Sequence, residues 1–416
     1  MNARRKAKTQ YVASLKNMQH LIETTKRKGQ NNNMKFICPI CGNQNPHAIG
    51  VLNGKPYCRM CIAFKGNEVD YKPSFPKKAP IHLSYELSKE QEELSNKLVE
   101  NYKKGIDSLV YAVCGSGKTE ISLKVIQYAI NCGEKVAFAI PRRDVVIELT
   151  NRLKEIFKFN KVISIYGGHT DTLEGDLVVL TTHQLYRYHK YFSLIVLDEI
   201  DAFPFKDNEL LKNMFFNSLR GHYIMMSATP SKDVIDHFTG EGKDILSLEI
   251  RFHRHPLPVP ELVIRKKALC YLFLIKQLKI FFKENKPVFI FAPTIEKCES
   301  LFRFINMFYL RGNYVHSKRK NRNQIIERFK GGGYRYLVTT SVLERGVTVK
   351  DLQVIVFMAD NHVYDSGTLV QIAGRVGRKK DAPEGRVFFV SKKKTEAMIE
   401  AIKNIEKSNK SLEKSG

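Results

Sequence analysis

The sequence predicts an α/β protein with two lobes, each built on a parallel sheet, joined by a proline-rich hinge and preceded by a small four-cysteine module. Short apolar runs alternate with helical stretches in two series, which is typical of parallel sheets covered by helices. Prolines at positions 256, 258 and 260 separate the two series, because they exclude continuous helix and central strand. Two Cys-x-x-Cys pairs lie ahead of both series and predict the module.

The parts follow one another in a definite order. A connector rich in proline and lysine, YKPSFPKKAP, separates the cysteine module from the first lobe. We expect a basic extension over 1–34, the module over 35–70, the first lobe over 71–252, the hinge over 253–262, the second lobe over 263–396 and a charged tail over 397–416. The strands of the first lobe are predicted in SLVYAV, KVAFAI, KVISIY, DLVVLT, SLIVLD and HYIMMS, and those of the second in PVFIFA, NYVHS, YRYLVTT, LQVIVFM and GRVFFV.

The charge balance indicates a polyanionic partner. The 416 residues contain 68 Lys and Arg against 42 Asp and Glu, a formal net charge of +26. Nucleic acid is the first candidate for this partner and an anionic membrane surface the second. A generally basic surface without a specific partner is the remaining alternative, since net charge argues for association and not for a fold.

The sequence predicts a cytoplasmic protein without an integral membrane span. The basic N-terminus is not followed by the apolar stretch and cleavage site of a secretory signal. The most apolar helical stretch, 269–282, contains Lys276 and Lys279 and falls short of the roughly 20 apolar residues that a span requires. In a reducing compartment the eight cysteines are not expected to form disulfides, and only four of them are grouped.

The grouped cysteines predict a structural Zn²⁺ site. Cys38 and Cys41 form one pair and Cys58 and Cys61 the other, with sixteen residues between the pairs. This spacing is typical of four thiolates that surround zinc tetrahedrally and leave no position open for water. Four reduced structural cysteines, or a redox pair, are the alternatives. The sequence leaves open whether the module contacts DNA or a protein.

A phosphate-binding loop follows the first predicted strand. The residues Gly115, Ser116, Gly117, Lys118 and Thr119 stand between this strand and a predicted helix. Glycines let backbone N–H groups approach phosphate oxygens, Lys118 neutralises the β- and γ-phosphates, and the Thr119 hydroxyl can reach Mg²⁺. The loop therefore predicts ATP and Mg²⁺ as cofactors.

An acidic pair completes the expected nucleotide site. Asp198 and Glu199 come at the C-terminal end of a buried apolar strand, where a nucleotide site in such a sheet is expected. Asp198 suits Mg²⁺ coordination, and Glu199 is placed to polarise the attacking water. A solvated acidic cluster after a strand is the alternative. The tripeptide from Ser227 to Thr229 follows the next strand and carries no meaning by itself.

The second lobe supplies two arginines to the same expected site. In QIAGRVGR, a helix is predicted to open at Gln371, so that Arg375 and Arg378, three residues apart, share a face. Both side chains could then reach a γ-phosphate when the lobes close, as arginine fingers do. A basic helix on the surface is the alternative.

The ordered motifs resemble a known superfamily. The set GSGKT, PRRD, TTHQ, DEID, SAT, TTSVLERG and QIAGRVGR is similar to that of the superfamily-two helicases and translocases, over roughly residues 84–392. This resemblance implies two RecA-like lobes. The four-cysteine module, together with CGSGKTE, PRRDV, PLPVP and ERGVT, resembles more narrowly the late competence family ComFA of Gram-positive bacteria.

The narrower resemblance implies a cytoplasmic ATPase that pulls single-stranded DNA through a membrane channel during natural transformation. Its partners would be single-stranded DNA, the DNA-uptake channel and other competence proteins. The protein would be peripheral at the inner face of the membrane, and it could form a homo-oligomer. The resemblance assigns adenine recognition to Gln91 and a nucleotide contact to Gly346. The nucleic-acid contacts that it implies are Arg142, Arg143, Thr181, Thr182, Thr340 and Arg345.

Two other functions remain open at this stage. One is a helicase that unwinds DNA or RNA in repair, replication restart or RNA processing. The other is a zinc-dependent DNA-binding adaptor whose motor fold is inert. In the motor hypothesis, ATP draws the lobes together and hydrolysis lets them part, which moves two gripping surfaces along a strand.

Overall fold

The computed structural model describes residues 36–62, 64, 66–113, 115–201, 205–206, 208–240, 242–248, 255–343, 347–379 and 381–414. The chain divides into two compact units, residues 1–38 with 42–62, and residues 39–41 with 63–416. The extension predicted for residues 1–34 lies outside the described residues, as do Arg345 and Gly346.

The first unit contains a short hairpin. A 3-10 helix, Pro46–Ala48, leads into strand β1, Ile49–Leu52, which pairs antiparallel with strand β2, Lys55–Cys58. The turn between them, Asn53 and Gly54, has φ values of 50° and 75°. An Asn-Gly pair adopts these positive φ angles readily and matches the twist of the two strands. The hairpin ends at Cys58 and so delivers the second cysteine pair.

The first lobe of the larger unit contains a seven-stranded sheet. Its strands are β3 Ser108–Ala112, β4 Val136–Ile140, β5 Val162–Ile165, β6 Leu177–Thr181, β7 Phe192–Asp198, β8 Leu219–Ser227 and β9 Asp244–Leu248. The order across the sheet is β5-β6-β4-β7-β8-β3-β9, and every pair is parallel. The six predicted runs all form strands, and β9 is an additional strand that pairs with β3.

Helices cover this sheet. They are α1 Lys89–Lys103, α2 Lys118–Asn131, α3 Arg143–Ile156, α4 Glu209–Ser218 and α5 Lys232–Gly240. The apolar sides of α1, α2 and α3 share one core with alternate residues of the central strands, for example Leu98, Ile121 and Leu153 with Val110 and Phe138. Burial of these side chains is the main favourable contribution to the stability of the lobe.

The second lobe contains a six-stranded sheet, also parallel throughout. Its strands are β10 Glu261–Ile264, β11 Val288–Phe291, β12 Gly312–Val315, β13 Tyr336–Thr339, β14 Gln353–Phe357 and β15 Val387–Ser391. Their order is β10-β15-β14-β11-β13-β12. The five predicted runs all form strands. The additional strand β10 begins inside the range expected for the hinge.

Both faces of the second sheet are buried. The helices are α6 Lys267–Lys283, α7 Ile295–Asn306, α8 Arg322–Lys330, α9 Ser366–Ala373 and α10 Glu396–Lys414. Along β11, Val288 and Ile290 pack with α6 and α7, whereas Phe289 and Phe291 pack with α8, α9 and α10. This alternation is what a strand buried on both faces requires. Among the residues that the structure describes, no helix is long and apolar enough to cross a membrane.

The C-terminal segment is a packed helix where the sequence predicted a charged tail. Met398, Ala401 and Ile405 of α10 are buried in the core of the second lobe. Their spacing of three and four residues places them on one side of the helix, while the charged residues face away. Asn409 of this helix accepts a hydrogen bond from the backbone N–H of Leu257 and donates one to its C=O, both at 2.8 Å. The helix therefore holds the proline-rich hinge against the second lobe.

The substitution Ile405→Ala tests the contribution of α10 to the core. Removing this fully buried side chain should lower the free energy of unfolding by about 2–5 kcal/mol, measured by urea denaturation. Lys403→Ala, on the exposed side of the same helix, should change it by less than about 0.5 kcal/mol. Equal effects of the two substitutions would show that α10 does not pack as described.

Candidate ATP and nucleic-acid site

The loop between β3 and α2 has the geometry of a phosphate cradle. Gly115 and Gly117 both have a φ of 84°, in the left-handed region that glycine adopts without strain. Gly117 is the N-cap of α2, and no side chain caps this helix end. The Ser116 hydroxyl is buried and has no hydrogen-bond partner among the described residues. A helix N-terminus without a side-chain cap and an unsatisfied hydroxyl suit phosphate oxygens, so the loop fits ATP.

Gln91 supports this loop from α1. Its side chain is buried, its Nε2 donates to the Ser116 carbonyl at 2.8 Å, and its Oε1 accepts from the Ser88 backbone N–H at 2.9 Å. A Cβ at Gly117 would lie 2.3 Å from Gln91 Nε2 and would displace this side chain, and the φ of 84° also favours glycine. The structure thus gives Gln91 a role in positioning the loop. Adenine recognition by Gln91 stays a prediction.

The acidic pair lies beside the loop. Lys118 Nζ, in the first turn of α2 with Thr119, is 3.7 Å from Asp198 Oδ1 at the end of β7. Asp198 Oδ1 also accepts the backbone N–H of Glu199 at 2.8 Å. Glu199 has a φ of 60°, an uncommon value for a residue with a side chain. The Lys118 ammonium suits a nucleotide phosphate, and Asp198 and Thr119 supply oxygens that suit Mg²⁺.

Asp201 joins the first lobe to the second. Its Oδ1 accepts from the Ser227 hydroxyl at 3.0 Å, and its Oδ2 accepts from the Thr229 hydroxyl at 3.0 Å. Gln371 of α9, in the second lobe, donates through Nε2 to the same Oδ2 at 3.1 Å. One carboxylate therefore connects the ends of β7 and β8 with the last turn of α9.

A second contact between the lobes lies nearby. Lys206 Nζ is 3.2 Å from Asp365 Oδ2, and Asp365 Oδ1 caps α9 by accepting the Thr368 N–H at 2.7 Å. Burial raises the pKa of Asp365, but the hydrogen bonds from Thr368 and the charge of Lys206 outweigh it, so the net pKa is lowered. Asp365 is therefore ionised at neutral pH and available to Lys206.

The prediction that Arg375 and Arg378 share a helix face is wrong. Helix α9 ends at Ala373, with Gly374 as its C-cap, and Gly377 has a φ of 67° that helices do not contain. Arg375 is buried and donates through Nη1 to the Val347 carbonyl at 3.0 Å. Arg378 donates through Nε to the Gly374 carbonyl at 2.9 Å. The helix ends before both arginines and Gly377 turns the chain between them, so each arginine is positioned separately.

Basic side chains also meet across the lobes at the C-terminal end of β4, on the same sheet edge as the ATP cradle. Arg142, at the N-cap of α3, donates through Nη2 to the Val342 carbonyl of the second lobe at 3.0 Å. Asp144 forms an ion pair with Arg322 at the start of α8. Burial, followed by the charges of Arg142 and Arg143, lowers the pKa of Arg322. The guanidinium groups of Arg142, Arg143 and Arg322 thus form an electropositive surface that suits phosphate groups. We call this surface the basic edge.

The threonines expected to contact nucleic acid are placed less uniformly. Thr181 ends β6 and Thr182 begins a 3-10 helix, and both are buried. The Thr182 hydroxyl has no hydrogen-bond partner among the described residues. Thr340 follows β13 and is half-buried. Burial lowers the pKa of the adjacent His183, so this side chain adds no positive charge to the edge at neutral pH.

The four cysteines come together in one cluster. Their Sγ atoms all lie within 4.8 Å of one another, and all four residues are buried. Cys38 Sγ is 3.8 Å from Cys61 Sγ, close to the ~3.8 Å edge of a tetrahedron with Zn–S distances of ~2.3 Å. Asn43 Nδ2 donates to Cys58 Sγ at 3.6 Å, and Gly42 turns the chain with a φ of 65°. The donor set therefore fits a structural metal ion.

Sequence reasoning did not find the residues that connect the lobes. Asp201 was visible as the last residue of DEID, but only the structure places it against Thr229 and Gln371. Arg322 belongs to the basic run KRKNR, in which no pattern distinguishes it from its neighbours. Its ion pair with Asp144 joins residues 178 positions apart in the sequence, which periodicity cannot reveal.

Two family models match the larger unit. The model described as type III restriction enzyme, res subunit, matches residues 84–232. The model described as helicase conserved C-terminal domain matches residues 266–380. The first range contains the phosphate cradle and Asp201, and the second contains Gln371.

Whole-chain relatives are also found. The competence protein ComFA of Bacillus subtilis is 33% identical over 401 residues, which cover 91% of this chain and 86% of that protein. The competence protein ComFA of Streptococcus pneumoniae is 33% identical over 394 residues, which cover 90% of this chain and 91% of that protein. The ATP-dependent DNA helicase RecG of Thermotoga maritima is 24% identical, over 73% of this chain and 41% of that protein.

Solved structures share the two-lobed fold. RecG bound to a three-way DNA junction superposes with a TM-score of 0.57 at 20% identity, covering 82% of this chain and 49% of RecG. Dbp5 of S. cerevisiae bound to RNA and ADP BeF3 superposes with a TM-score of 0.58 at 16% identity, covering 78% of this chain and 92% of Dbp5. At these identities the similarity is one of fold. It confirms the prediction of two RecA-like parallel-sheet lobes.

The cysteine cluster predicts zinc binding that depends on each thiolate. Elemental analysis of the purified protein should find about one zinc per chain, and Cys58→Ser should reduce it to nearly none. Cys132→Ser is the matched control, because Cys132 is exposed and lies outside the cluster. A full equivalent of zinc in Cys58→Ser would contradict the assignment.

Proposed function

The chain belongs to the ComFA family of competence proteins, and from this we propose that it is a single-stranded DNA translocase that draws transforming DNA into the cytoplasm. Membership makes it a nucleic-acid-dependent ATPase of helicase superfamily two, which argues against the alternative of an inert adaptor. The observation that carries the translocase proposal is the pair of connections between lobes, one beside the ATP cradle and one at the basic edge.

The proposed ATPase chemistry uses residues that the fold brings together. Lys118 would bind the β- and γ-phosphates, and Asp198 and Thr119 would hold Mg²⁺, which neutralises phosphate charge when bound. Glu199 would orient the attacking water and accept its proton. Arg375 and Arg378 would act from the second lobe as arginine fingers, each positioned separately beyond the end of α9.

The proposed coupling passes through Asp201. Its carboxylate accepts hydrogen bonds from both lobes, so a rotation of α9 relative to β8 must lengthen at least one of them. At the basic edge, Arg142 and the Asp144–Arg322 pair would move with the same rotation. Hydrolysis would thus change the spacing of two surfaces that bind the phosphates of one strand.

The proposed partners follow from the family. Single-stranded DNA would be the track, with phosphate contacts from Arg142, Arg143, Thr340 and Arg345, and with Thr181 and Thr182 beneath the same edge. The DNA-uptake channel and other competence proteins would bind the motor at the inner face of the cell membrane. The zinc module would contribute a structural platform for such a contact or for DNA, and a homo-oligomer is compatible with this role.

The substitution Glu199→Gln tests the ATPase assignment. It should lower the rate of phosphate release in the presence of single-stranded DNA by about a hundredfold or more, because the attacking water loses its base. Lys118→Ala should have a similar effect, because the β- and γ-phosphates lose the ammonium group that binds them. Glu93→Gln, an exposed residue of α1, is the matched control and should match the unchanged protein. Full turnover in Glu199→Gln would contradict the assigned role.

The nucleic acid that stimulates turnover tests the substrate. Phosphate release should rise strongly with single-stranded DNA, less with duplex DNA and less with single-stranded RNA. A strand-separation assay on the same protein should show inefficient unwinding. Stronger stimulation by RNA would favour RNA remodelling, and efficient separation of duplexes would favour an unwinding helicase.

The substitution Asp201→Asn tests the coupling. It removes the charge that strengthens three hydrogen bonds, and it leaves the size of the side chain nearly unchanged. The ratio of DNA-stimulated to basal turnover should fall roughly tenfold, the equivalent of about 1.4 kcal/mol. The exposed residue Asp236, changed to Asn, is the control. An unchanged ratio in Asp201→Asn would show that the lobes communicate by another route.

A further inference from the structure

A compact aromatic turn follows strand β5. Tyr166 and His169 exchange two backbone hydrogen bonds, with N–O distances of 3.3 and 2.9 Å, across the pair Gly167–Gly168. Gly168 has a φ of 82°, which lets the chain reverse within two residues. The reversal stacks the two rings, with centroids 4.9 Å apart and an angle of 18° between the planes. The turn is therefore a preformed stack of a phenol and an imidazole.

The stack lies at the basic edge of the first lobe. Strands β5, β6 and β4 are parallel neighbours, so the segments that follow them emerge at the same edge of the sheet. The Arg143 guanidinium, just after β4, lies 4.7 Å from the centroid of the Tyr166 ring. Tyr166 is half-buried against the lobe's core, whereas Arg143 and His169 are exposed. One side of the stack is thus fixed and the other is open to solvent.

The surface above the turn is also open. A side chain at Gly167 would meet no atom within 4 Å, and Gly167 does not have a positive φ. No contact among the described residues therefore requires glycine at this position. A bare backbone beside an exposed ring and a guanidinium leaves space for a flat ligand with an adjacent anionic group.

We propose that Tyr166 and His169 form a stacking platform for one base of a single strand whose phosphates contact Arg142 and Arg143. The proposal rests on the proposed function and names the feature of the substrate that is recognised. Every base has a π-face, so the platform accepts any sequence. In a duplex both faces of each base are covered by neighbouring base pairs, so the platform favours single strands.

An abasic strand separates base stacking from phosphate binding. An oligothymidylate of about 30 nucleotides, longer than one binding site, is compared with a sugar–phosphate strand of equal length that lacks bases. Both carry the same charge. With the unchanged full-length protein, the oligothymidylate should reach half-maximal stimulation of ATP hydrolysis at a concentration about tenfold lower than the abasic strand.

Substitutions in the turn should abolish this preference. In Tyr166→Leu and in His169→Ala the two strands should reach half-maximal stimulation at similar concentrations, because only the phosphate contacts remain. Tyr166→Phe keeps the ring and should keep the preference. Phe159→Leu is the matched control, since Phe159 is an exposed aromatic with its own histidine neighbour beyond the other end of α3. It should also keep the preference.

The outcomes distinguish the two proposals. If single strands stimulate the unchanged protein but Tyr166→Leu and His169→Ala retain the tenfold preference, the platform is wrong and the translocase proposal stands. If the unchanged protein does not distinguish the two strands, the platform is likewise wrong. If neither strand stimulates hydrolysis, both proposals are wrong. Loss of the preference in both variants, with Tyr166→Phe and Phe159→Leu unaffected, supports the platform.

Discussion

The carboxylate of Asp201 accepts hydrogen bonds from Ser227, Thr229 and Gln371, and thereby connects the two lobes beside the ATP cradle. Hydrogen bonds to a charged acceptor contribute about 1.5–3 kcal/mol each, and their geometry permits little displacement before they are lost. A movement of the second lobe must therefore be felt at the end of β8. In the proposed function, this network would link a change of phosphate contacts to a change of lobe position.

Parallel strands explain why the chemistry is concentrated. Every strand of the first lobe ends at the same edge of the sheet, so the cradle after β3, the acidic pair at β7 and Asp201 lie close together although the sequence separates them. The ends of β4, β5 and β6 bring the arginines and the aromatic turn to the other half of that edge. The ATP site and the basic edge therefore lie side by side along the same edge of the sheet.

The sequence predicted the fold and the local motifs, because these depend on short-range patterns. All eleven predicted runs form strands, since buried strands require continuous apolar residues. Strands β9 and β10 were missed because their exposed edges carry mixed residues. Contacts that close over long separations, such as those of Arg322 and Asp201, leave no periodic signal. The end of α9 was misjudged because the segment from Gly374 to Arg378 was interpreted as part of the helix.

The hydrogen bonds between Leu257 and Asn409 attach the predicted hinge to the second lobe. Both backbone groups of Leu257 are hydrogen-bonded to α10. From this residue onward the hinge segment is therefore fixed to the second lobe. Leu257 also packs in the core of the second lobe, so the attached part of the predicted hinge includes Pro258 and Pro260. In the proposed translocase, this attachment to α10 would limit how far the two lobes can turn relative to each other.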